Sequence, residues 1–284
     1  MIMPKLHEKT GHFSGDSGLK IFYRHLPAEK EKARLVIAHG LGEHSGRYDN
    51  VTSRLVPEGV SSWALDFCGH GRSQGKRGHV HNFRQYISDL DKLVDIASEG
   101  APIHSKPFLL GHSLGGLIAL SYALRFPDKL HGLVVSSPVL AFKVKVPAVK
   151  IILGRVMSAV WPGLSMVNEL DPTKISHDKS VVDAYIHDPL VHNRVTARWF
   201  TEFASTMETT RQSAPNLKVP ILMQIAGNDS LVDAEASESF FKHLSLEDKT
   251  IHIYSDLFHE VYNEPEKERA AVLNDLHEWI EARL

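Results

Sequence analysis

A serine in a setting typical of a nucleophile stands near the middle of the sequence. Residues 111–116 read G-H-S-L-G-G and match the pattern G-x-S-x-G. Residues 106–110 are typical of a strand and residues 117–126 of a helix, so the motif predicts a tight strand–turn–helix elbow. Such an elbow strains the serine backbone and exposes its hydroxyl, while the glycines let strand and helix approach closely. The motif predicts Ser113 as a nucleophile, with a glycine-rich turn around a buried serine as the alternative.

A serine hydroxyl is a poor nucleophile, so it also needs a base that an acidic side chain orients. After such an elbow the chain order is serine, acid, histidine. Asp229 follows the predicted strand 221–226, and His259 lies in the loop after the predicted strand 250–254. Catalytic groups gather at the carboxyl ends of parallel strands, so we predict a triad of Ser113, Asp229 and His259. The alternatives are a turn residue for the aspartate, a solvent-facing loop residue for the histidine, and competing side chains elsewhere: His243, His252, His277, Asp233, Asp256.

Acyl transfer also requires two N–H donors for the developing oxyanion. The backbone N–H of Leu114, directly after the serine, is the expected first donor. The second is expected in the loop after an earlier strand, 35–38, where residues 39–42 read H-G-L-G and Leu41 presents its N–H. We expect His39 to order this loop by hydrogen bonding, with a catalytic role as the alternative.

Strand-like and helix-like segments alternate along the chain, which indicates a mostly parallel central sheet with helices on both faces. The first two strand-like runs are separated only by a turn at residues 15–18, which predicts an antiparallel hairpin at one edge. About 80 residues separate the predicted strands that end near 137 and start near 219, far more than a crossover needs. We predict residues 1–138 and 215–284 as the two parts of the core and residues 139–214 as an inserted helical segment.

Two features of the insertion carry further predictions. Asp188-Pro189 resembles a helix N-cap followed by proline at the first helical position, so a helix is predicted from there to about residue 211. Residues 139–167 are rich in apolar side chains and carry few charges. Either this stretch packs on the core, or it presents apolar surface to a hydrophobic substrate and contacts a membrane peripherally.

The composition excludes several classes of protein. The chain has 284 residues, of which 43% are hydrophobic and 23% charged, and a formal net charge of −2. These values are typical of a globular protein, and the near-neutral charge gives no field for nucleic acid. The single cysteine, Cys68, allows no intramolecular disulfide, and no C-x-x-C or H-E-x-x-H spacing indicates a metal site. Without a secretory or membrane-spanning pattern, we expect a cytoplasmic protein.

Three strings resemble one enzyme family. Residues 39–48 read H-G-L-G-E-H-S-G-R-Y, residues 66–73 read D-F-C-G-H-G-R-S, and residues 111–116 contain the serine motif. Together they resemble the monoacylglycerol lipases and related lysophospholipases, which are α/β-hydrolases of the serine aminopeptidase S33-like group. The similarity runs from about residue 11 to residue 279. It implies an α/β-hydrolase fold with a helical cap inserted after the sixth strand, a hydrophobic acyl tunnel and a narrow polar pocket for a glycerol head group.

The resemblance also assigns roles to individual residues. It implies that Ser113, Asp229 and His259 are the triad and that Leu41 and Leu114 supply the oxyanion hole. A further four residues match positions that line or shape the polar end in family members: Glu43, Arg47, His112, Tyr185.

A glutamate and an arginine in the polar end suit the two hydroxyls of a glycerol head group. An internal salt bridge between Glu43 and Arg47 is the alternative, and the two roles are compatible. The sequence also departs from the animal enzymes. Tyr262 stands where they carry a second histidine, and Leu41 replaces an alanine.

The resemblance implies a carboxylic ester hydrolase that releases a fatty acid from monoacylglycerol through an acyl-enzyme on Ser113. The expected partner is monoacylglycerol or a similar single-chain lipid ester, and neither a cofactor nor a metal ion is required. Three alternatives stay open: a lysophospholipase, a general carboxylesterase or aminopeptidase-like hydrolase, and a non-catalytic interaction protein.

Overall fold

A computed structural model describes residues 7–101, 106–143 and 148–284. Most of its strands belong to one sheet, with these bounds: β1 Lys9–Ser14, β2 Lys20–Leu26, β3 Ala33–Ala38, β4 Val60–Leu65, β5 Phe108–His112, β6 Gly132–Ser136, β9 Ile221–Ala226 and β10 Lys249–Tyr254. This eight-stranded sheet has the spatial order β1-β2-β4-β3-β5-β6-β9-β10. The strands from β4 to β10 in that order are parallel, which brings their carboxyl ends to one edge.

The predicted edge hairpin is confirmed. β1 and β2 pair antiparallel over their whole length, from Lys9 opposite His25 to Ser14 opposite Lys20. Their turn is closed by the N–H of Gly15, which donates to the carbonyl oxygen of Leu19 at 2.7 Å. β2 also pairs antiparallel with β4, so the hairpin extends the parallel part of the sheet.

Helices cover both faces of the sheet, as predicted. Their bounds are α1 Asp49–Leu55, α2 Arg84–Ser98, α3 Leu114–Arg125, α4 Ala148–Val160, α5 Lys179–His187, α6 Ala197–Gln212, α7 Ala234–His243 and α8 Glu266–Glu281. Leu90 of α2, Leu117 of α3 and Phe240 of α7 belong to a buried cluster on one face. Leu55 of α1 and Leu276 of α8 belong to a second cluster on the opposite face. The inner strands β3, β5, β6 and β9 are therefore buried on both sides, which explains their apolar runs.

The chain leaves the sheet at the end of β6 and returns at β9, its parallel neighbour. Between them lie α4, α5 and α6 and a small antiparallel pair, β7 Ser165–Val167 with β8 Arg194–Thr196. This confirms helices inserted after the sixth strand, and we keep 139 and 214 as proposed boundaries. Of the apolar stretch 139–167, Val144 and Val146 lie outside the described residues.

The predicted helix beginning at Asp188-Pro189 is wrong. Asp188 instead follows the last residue of α5, and its Oδ1 accepts a hydrogen bond from the N–H of Leu190 at 2.8 Å. The next helix, α6, begins at Ala197, where the hydroxyl of Thr196 caps it by accepting from the N–H of Trp199 at 3.3 Å. A residue before proline avoids the helical region, so Asp-Pro fits the end of one helix as well as the start of another.

Candidate active site

Ser113 occupies the elbow that the motif predicts. It lies between the last residue of β5 and the first residue of α3, with φ at 53°. This left-handed backbone conformation is costly for a residue with a side chain. It is held by hydrogen bonds from the Ser113 N–H to the Ser136 carbonyl at 3.0 Å and from the Leu117 N–H to the Ser113 carbonyl at 3.1 Å.

The glycines around the serine are required by close backbone contacts. A Cβ placed on Gly111 would overlap the carbonyl oxygen of Gly115. A Cβ placed on Gly115 would overlap the carbonyl oxygen of Ala38 at the end of β3. The strand–helix approach predicted from the motif is therefore confirmed, and it brings the loop after β3 close to the serine.

His259 and Asp229 form a buried pair at the carboxyl ends of β10 and β9. The Nδ1 of His259 lies 2.6 Å from Oδ2 of Asp229, and each residue is 5% exposed. The second aspartate oxygen, Oδ1, accepts from the N–H groups of Leu231 at 2.8 Å and Val232 at 3.0 Å. An ionised carboxylate only accepts, so Nδ1 of His259 donates and Nε2 of the neutral ring is left as the base.

The charges of this pair stabilise each other. Burial lowers the pKa of His259, but the neighbouring Asp229 carboxylate outweighs it, and the pKa of His259 is raised above its ordinary value. Burial raises the pKa of Asp229, but His259 and the two backbone donors outweigh it and hold that pKa below its ordinary value. The site therefore favours the imidazolium that forms when His259 accepts a proton.

Ser113 and His259 line the same cavity, whose volume is about 1310 Å³. The ring of His112, next to the serine, lies 4.7 Å from the His259 ring between centroids. Asp229 contacts His259 and does not itself border the cavity. The structure thus brings the three predicted triad residues to one place.

The two predicted oxyanion donors border this cavity as well. Leu114 is the first residue of α3, so its N–H has no acceptor within the helix. Leu41 follows Gly40, and a Cβ placed on Gly40 would lie 3.4 Å from the Cβ of Ser113. The loop that carries Leu41 therefore lies directly against the serine.

His39 orders this loop by hydrogen bonding, as predicted. Its Nδ1 lies 2.7 Å from the carbonyl oxygen of Gly40, and its Nε2 accepts from the N–H of Phe67 at 2.9 Å. The side chain is fully buried, and burial lowers its pKa, so the ring is neutral and holds the loop in place through these two hydrogen bonds.

Glu43 and Arg47 bind each other, as the salt-bridge alternative predicts. Oε2 of Glu43 accepts from Nε of Arg47 at 3.0 Å, while Oε1 accepts from the N–H of Gly40 and the hydroxyl of Tyr48 at 2.5 and 2.8 Å. The Arg47 guanidinium lies 4.7 Å from the ring centroid of Tyr185. Glu43 and Tyr185 border the cavity and Arg47 does not, so Arg47 acts on the site through its neighbours.

Sequence reasoning missed two residues of the site. Glu260, next to His259, is 6% exposed and accepts from Nη2 of Arg47 at 2.5 Å. Its position beside the predicted base was the available signal. His192 of the insertion donates its backbone N–H to the carbonyl oxygen of Gly42 at 2.8 Å, which no local pattern indicates. This bond ties the insertion to the loop at residues 39–42, which we call the oxyanion loop because it carries the predicted donor Leu41.

Tyr262, which stands where the animal enzymes carry a second histidine, is buried. Its hydroxyl donates to Oε1 of Gln224 in β9 at 2.6 Å, and it does not border the cavity. The cavity extends instead between apolar side chains of the insertion and its surroundings: Val139, Phe142, Met157, Trp199, Phe200, Phe203. In the described parts of the chain, no group of three His, Cys, Asp or Glu side chains is arranged to hold a metal ion.

Comparison with known proteins shows the family of the chain. The chain matches the family model described as serine aminopeptidase, S33, over residues 29–266, and it belongs to that family. It is 34% identical over 274 residues to the monoacylglycerol lipase of Mycolicibacterium smegmatis, with 96% of each chain covered.

Two other similar proteins differ in how much of them the chain covers. The crystal structure of Paleococcus ferrophilus monoacylglycerol lipase superposes with a TM-score of 0.84 and 34% identity, over 99% of this chain and 100% of that one. An uncharacterized abhydrolase domain-containing protein of Dictyostelium discoideum is 36% identical over 263 residues. That match spans 91% of this chain but 27% of that protein.

Proposed function

We propose that the protein is a carboxylic ester hydrolase that releases a fatty acid from monoacylglycerol through an acyl-enzyme on Ser113. The observation that carries this proposal is a serine elbow and an aspartate-oriented histidine on one cavity with a large apolar part. Similarity to two monoacylglycerol lipases, each matched over nearly its full length, supports the substrate.

The geometry suggests the course of the reaction. Nε2 of His259 takes the proton of Ser113 as the hydroxyl attacks the ester carbonyl, and Asp229 stabilises the resulting imidazolium. The N–H groups of Leu41 and Leu114 bind the oxyanion, and His259 then protonates the departing glycerol. Water activated by His259 finally releases the fatty acid and restores Ser113.

The charges beside the reacting ester favour an uncharged head group. Glu43 and Glu260 are bound by the single guanidinium of Arg47, which leaves a formal charge of −1 on these three side chains, in addition to the Asp229 carboxylate that contacts His259. A phosphate in the head group would be repelled there at short range, whereas glycerol hydroxyls would not. This supports monoacylglycerol over a lysophospholipid as the substrate.

The test compares monooleoylglycerol, oleoyl lysophosphatidylcholine, dioleoylglycerol and a short p-nitrophenyl ester, with Ser113→Ala as the blank. We expect monooleoylglycerol to be preferred over the lysophospholipid by at least about tenfold in kcat/KM, because the acidic side chains repel the phosphate. A tenfold ratio corresponds to about 1.4 kcal/mol in the free energy of the transition state. Equal turnover of the lysophospholipid would contradict the proposed head-group selectivity. Turnover of the short ester alone would indicate a general esterase.

We also propose that the insertion contacts a lipid surface. Val160 and Trp161, at the end of α4, are 77% and 61% exposed, although both are large and apolar. Five further exposed apolar side chains of the insertion border the cavity: Leu153, Met166, Val167, Leu170, Ile186. The occupant we propose is a bilayer, because a monoacylglycerol resides there and exposed apolar side chains of the same insertion border the cavity that holds Ser113. Among the described residues, no helix is long and apolar enough to cross a membrane.

Flotation with phosphatidylcholine liposomes tests this contact. We expect wild-type protein in the lipid fraction and at least about tenfold less of a Val160→Ser/Trp161→Ser variant, since the loss of even one buried apolar side chain costs about 1.5–3 kcal/mol. Ile253→Ser is the matched control, because Ile253 is 43% exposed but lies on β10, outside the insertion. Failure of the wild type to float, or equal loss in the control, would contradict the proposal.

A further inference from the structure

Glu260 is a buried acidic residue that the triad chemistry does not use. It directly follows His259, and its Oε2 accepts from both Nη2 of Arg47 at 2.5 Å and Nδ2 of Asn263 at 2.8 Å. Its backbone N–H donates to the carbonyl oxygen of Ile175 in the insertion at 2.8 Å. The residue beside the base is therefore fixed through its side chain and its main chain.

Arg47, the partner of Glu260, connects two loops whose relative position matters for the reaction. The same Arg47 side chain donates from Nε to Glu43, and Glu43 accepts from the N–H of Gly40. Gly40 precedes Leu41, the proposed oxyanion donor. The guanidinium of Arg47 thus links the loop that carries His259 to the loop that carries Leu41. The Arg47 side chain is only 9% exposed.

The charges around His259 come from several elements. Asp229 after β9 contacts its Nδ1, and Glu260 and Glu43 both act to raise its pKa from a greater distance. The neutral ring of His112 faces it from the end of β5. Arg47 binds both Glu260 and Glu43 and offsets one of their two negative charges, and the charge that is left favours the protonated form of the ring.

We infer that Glu260 is a positioning residue for His259, which holds the base against the oxyanion loop through Arg47 and favours the imidazolium by its charge. The inference rests on the proposed function of His259 as the base. It adds a residue that no step of the triad mechanism requires. Glu260 borders the cavity, but it takes part in no step of this scheme, so its effect reaches the reaction through its neighbours.

Two substitutions separate the charge from the contacts. In Glu260→Gln, the amide oxygen can take the place of Oε2 and keep both hydrogen bonds while the charge is lost. In Glu260→Ala, the hydrogen bonds and the charge are lost together. Glu268→Gln is the matched control, because Glu268 is an exposed glutamate in the first turn of α8.

The kinetics of a soluble p-nitrophenyl ester are measured from pH 5 to pH 9. For Glu260→Gln we expect the acidic limb of kcat/KM to move to lower pH by about half a unit, because a weaker field lowers the pKa of His259. For Glu260→Ala we expect kcat/KM to fall by about 10- to 100-fold, since the base and the oxyanion hole lose their common anchor. The control should match the wild type in both respects.

A second measurement does not depend on turnover. The imidazole of His259 is titrated by NMR in the Ser113→Ala background, with and without Glu260→Gln, and the midpoint should be lower in the double variant. An unchanged acidic limb and midpoint, or full activity of Glu260→Ala, would overturn the inference. Absence of hydrolysis by the wild type would instead refute the proposed function, and the titration would still report on Glu260.

Discussion

Replacing Asp229 by asparagine tests how the proton of His259 is controlled. Oδ1 of Asp229 accepts from the N–H groups of Leu231 and Val232, so only the oxygen of an asparagine amide suits that position. The amide nitrogen must then occupy the place of Oδ2 and donate to Nδ1 of His259. A neutral ring that accepts at Nδ1 carries its proton on Nε2, and it cannot take the proton of Ser113.

The structure thus predicts the wrong tautomer in Asp229→Asn rather than a lost contact. A tautomer of this kind lowers kcat by about 10⁴-fold in a serine triad, which corresponds to about 5 kcal/mol in the barrier. The assay is the kcat for a p-nitrophenyl ester at pH 8, together with the rate of labelling by a fluorophosphonate.

The control is Asp233→Asn, in the same loop. Asp233 caps α7 by accepting from the N–H of Glu235 at 3.0 Å, and asparagine caps a helix equally well. We expect wild-type kcat from this variant. A loss of less than tenfold in Asp229→Asn, or an equal loss in both variants, would refute the reasoning.

Three further predictions follow from the packing and the charges. Gly115→Ala should destabilise the fold by about 1–3 kcal/mol in urea unfolding, because its Cβ would overlap the backbone of Ala38; an unchanged midpoint would contradict this. Gly154→Leu should lower kcat/KM for long acyl chains more than for short ones, because Gly154 borders the cavity beside Phe200. Gly154→Ala is its control, since the added Cβ lies at 3.4 Å from that ring, and equal effects on all chain lengths would oppose the idea. The kcat/KM of the wild type should fall as the pH is lowered, with a midpoint above pH 6.5, because the pKa of His259 is raised and the protonated ring cannot act as a base. A midpoint below pH 6.5 would contradict this.

The elbow and the strand ends could be predicted because their signals are local. The two glycines around Ser113 indicate a close contact between strand and helix, because a side chain at either position would block it. The structure shows that contact. Asp229 and His259 each follow an apolar run, and parallel strands bring such positions to one edge. Chain order and sheet topology were therefore enough to predict that Asp229 and His259 pair with each other.

Other features could not be predicted because distant residues decide them. Whether Glu43 and Arg47 face a substrate or each other depends on Glu260, which completes the network from another loop. The end of α5 at Asp188 is likewise fixed by a contact with His44 of the core, at 2.9 Å between Oδ2 and Nε2. A local Asp-Pro signal contains no information about such a partner.

The most direct test of the central proposal is to locate the covalent intermediate. The protein is treated with a fluorophosphonate, digested and examined by mass spectrometry, while hydrolysis of monooleoylglycerol is followed in parallel. We predict one phosphonate on the peptide that contains Ser113, loss of hydrolysis in proportion to labelling, and neither in Ser113→Ala. Labelling at another residue, or hydrolysis of monooleoylglycerol that persists in Ser113→Ala, would contradict the account.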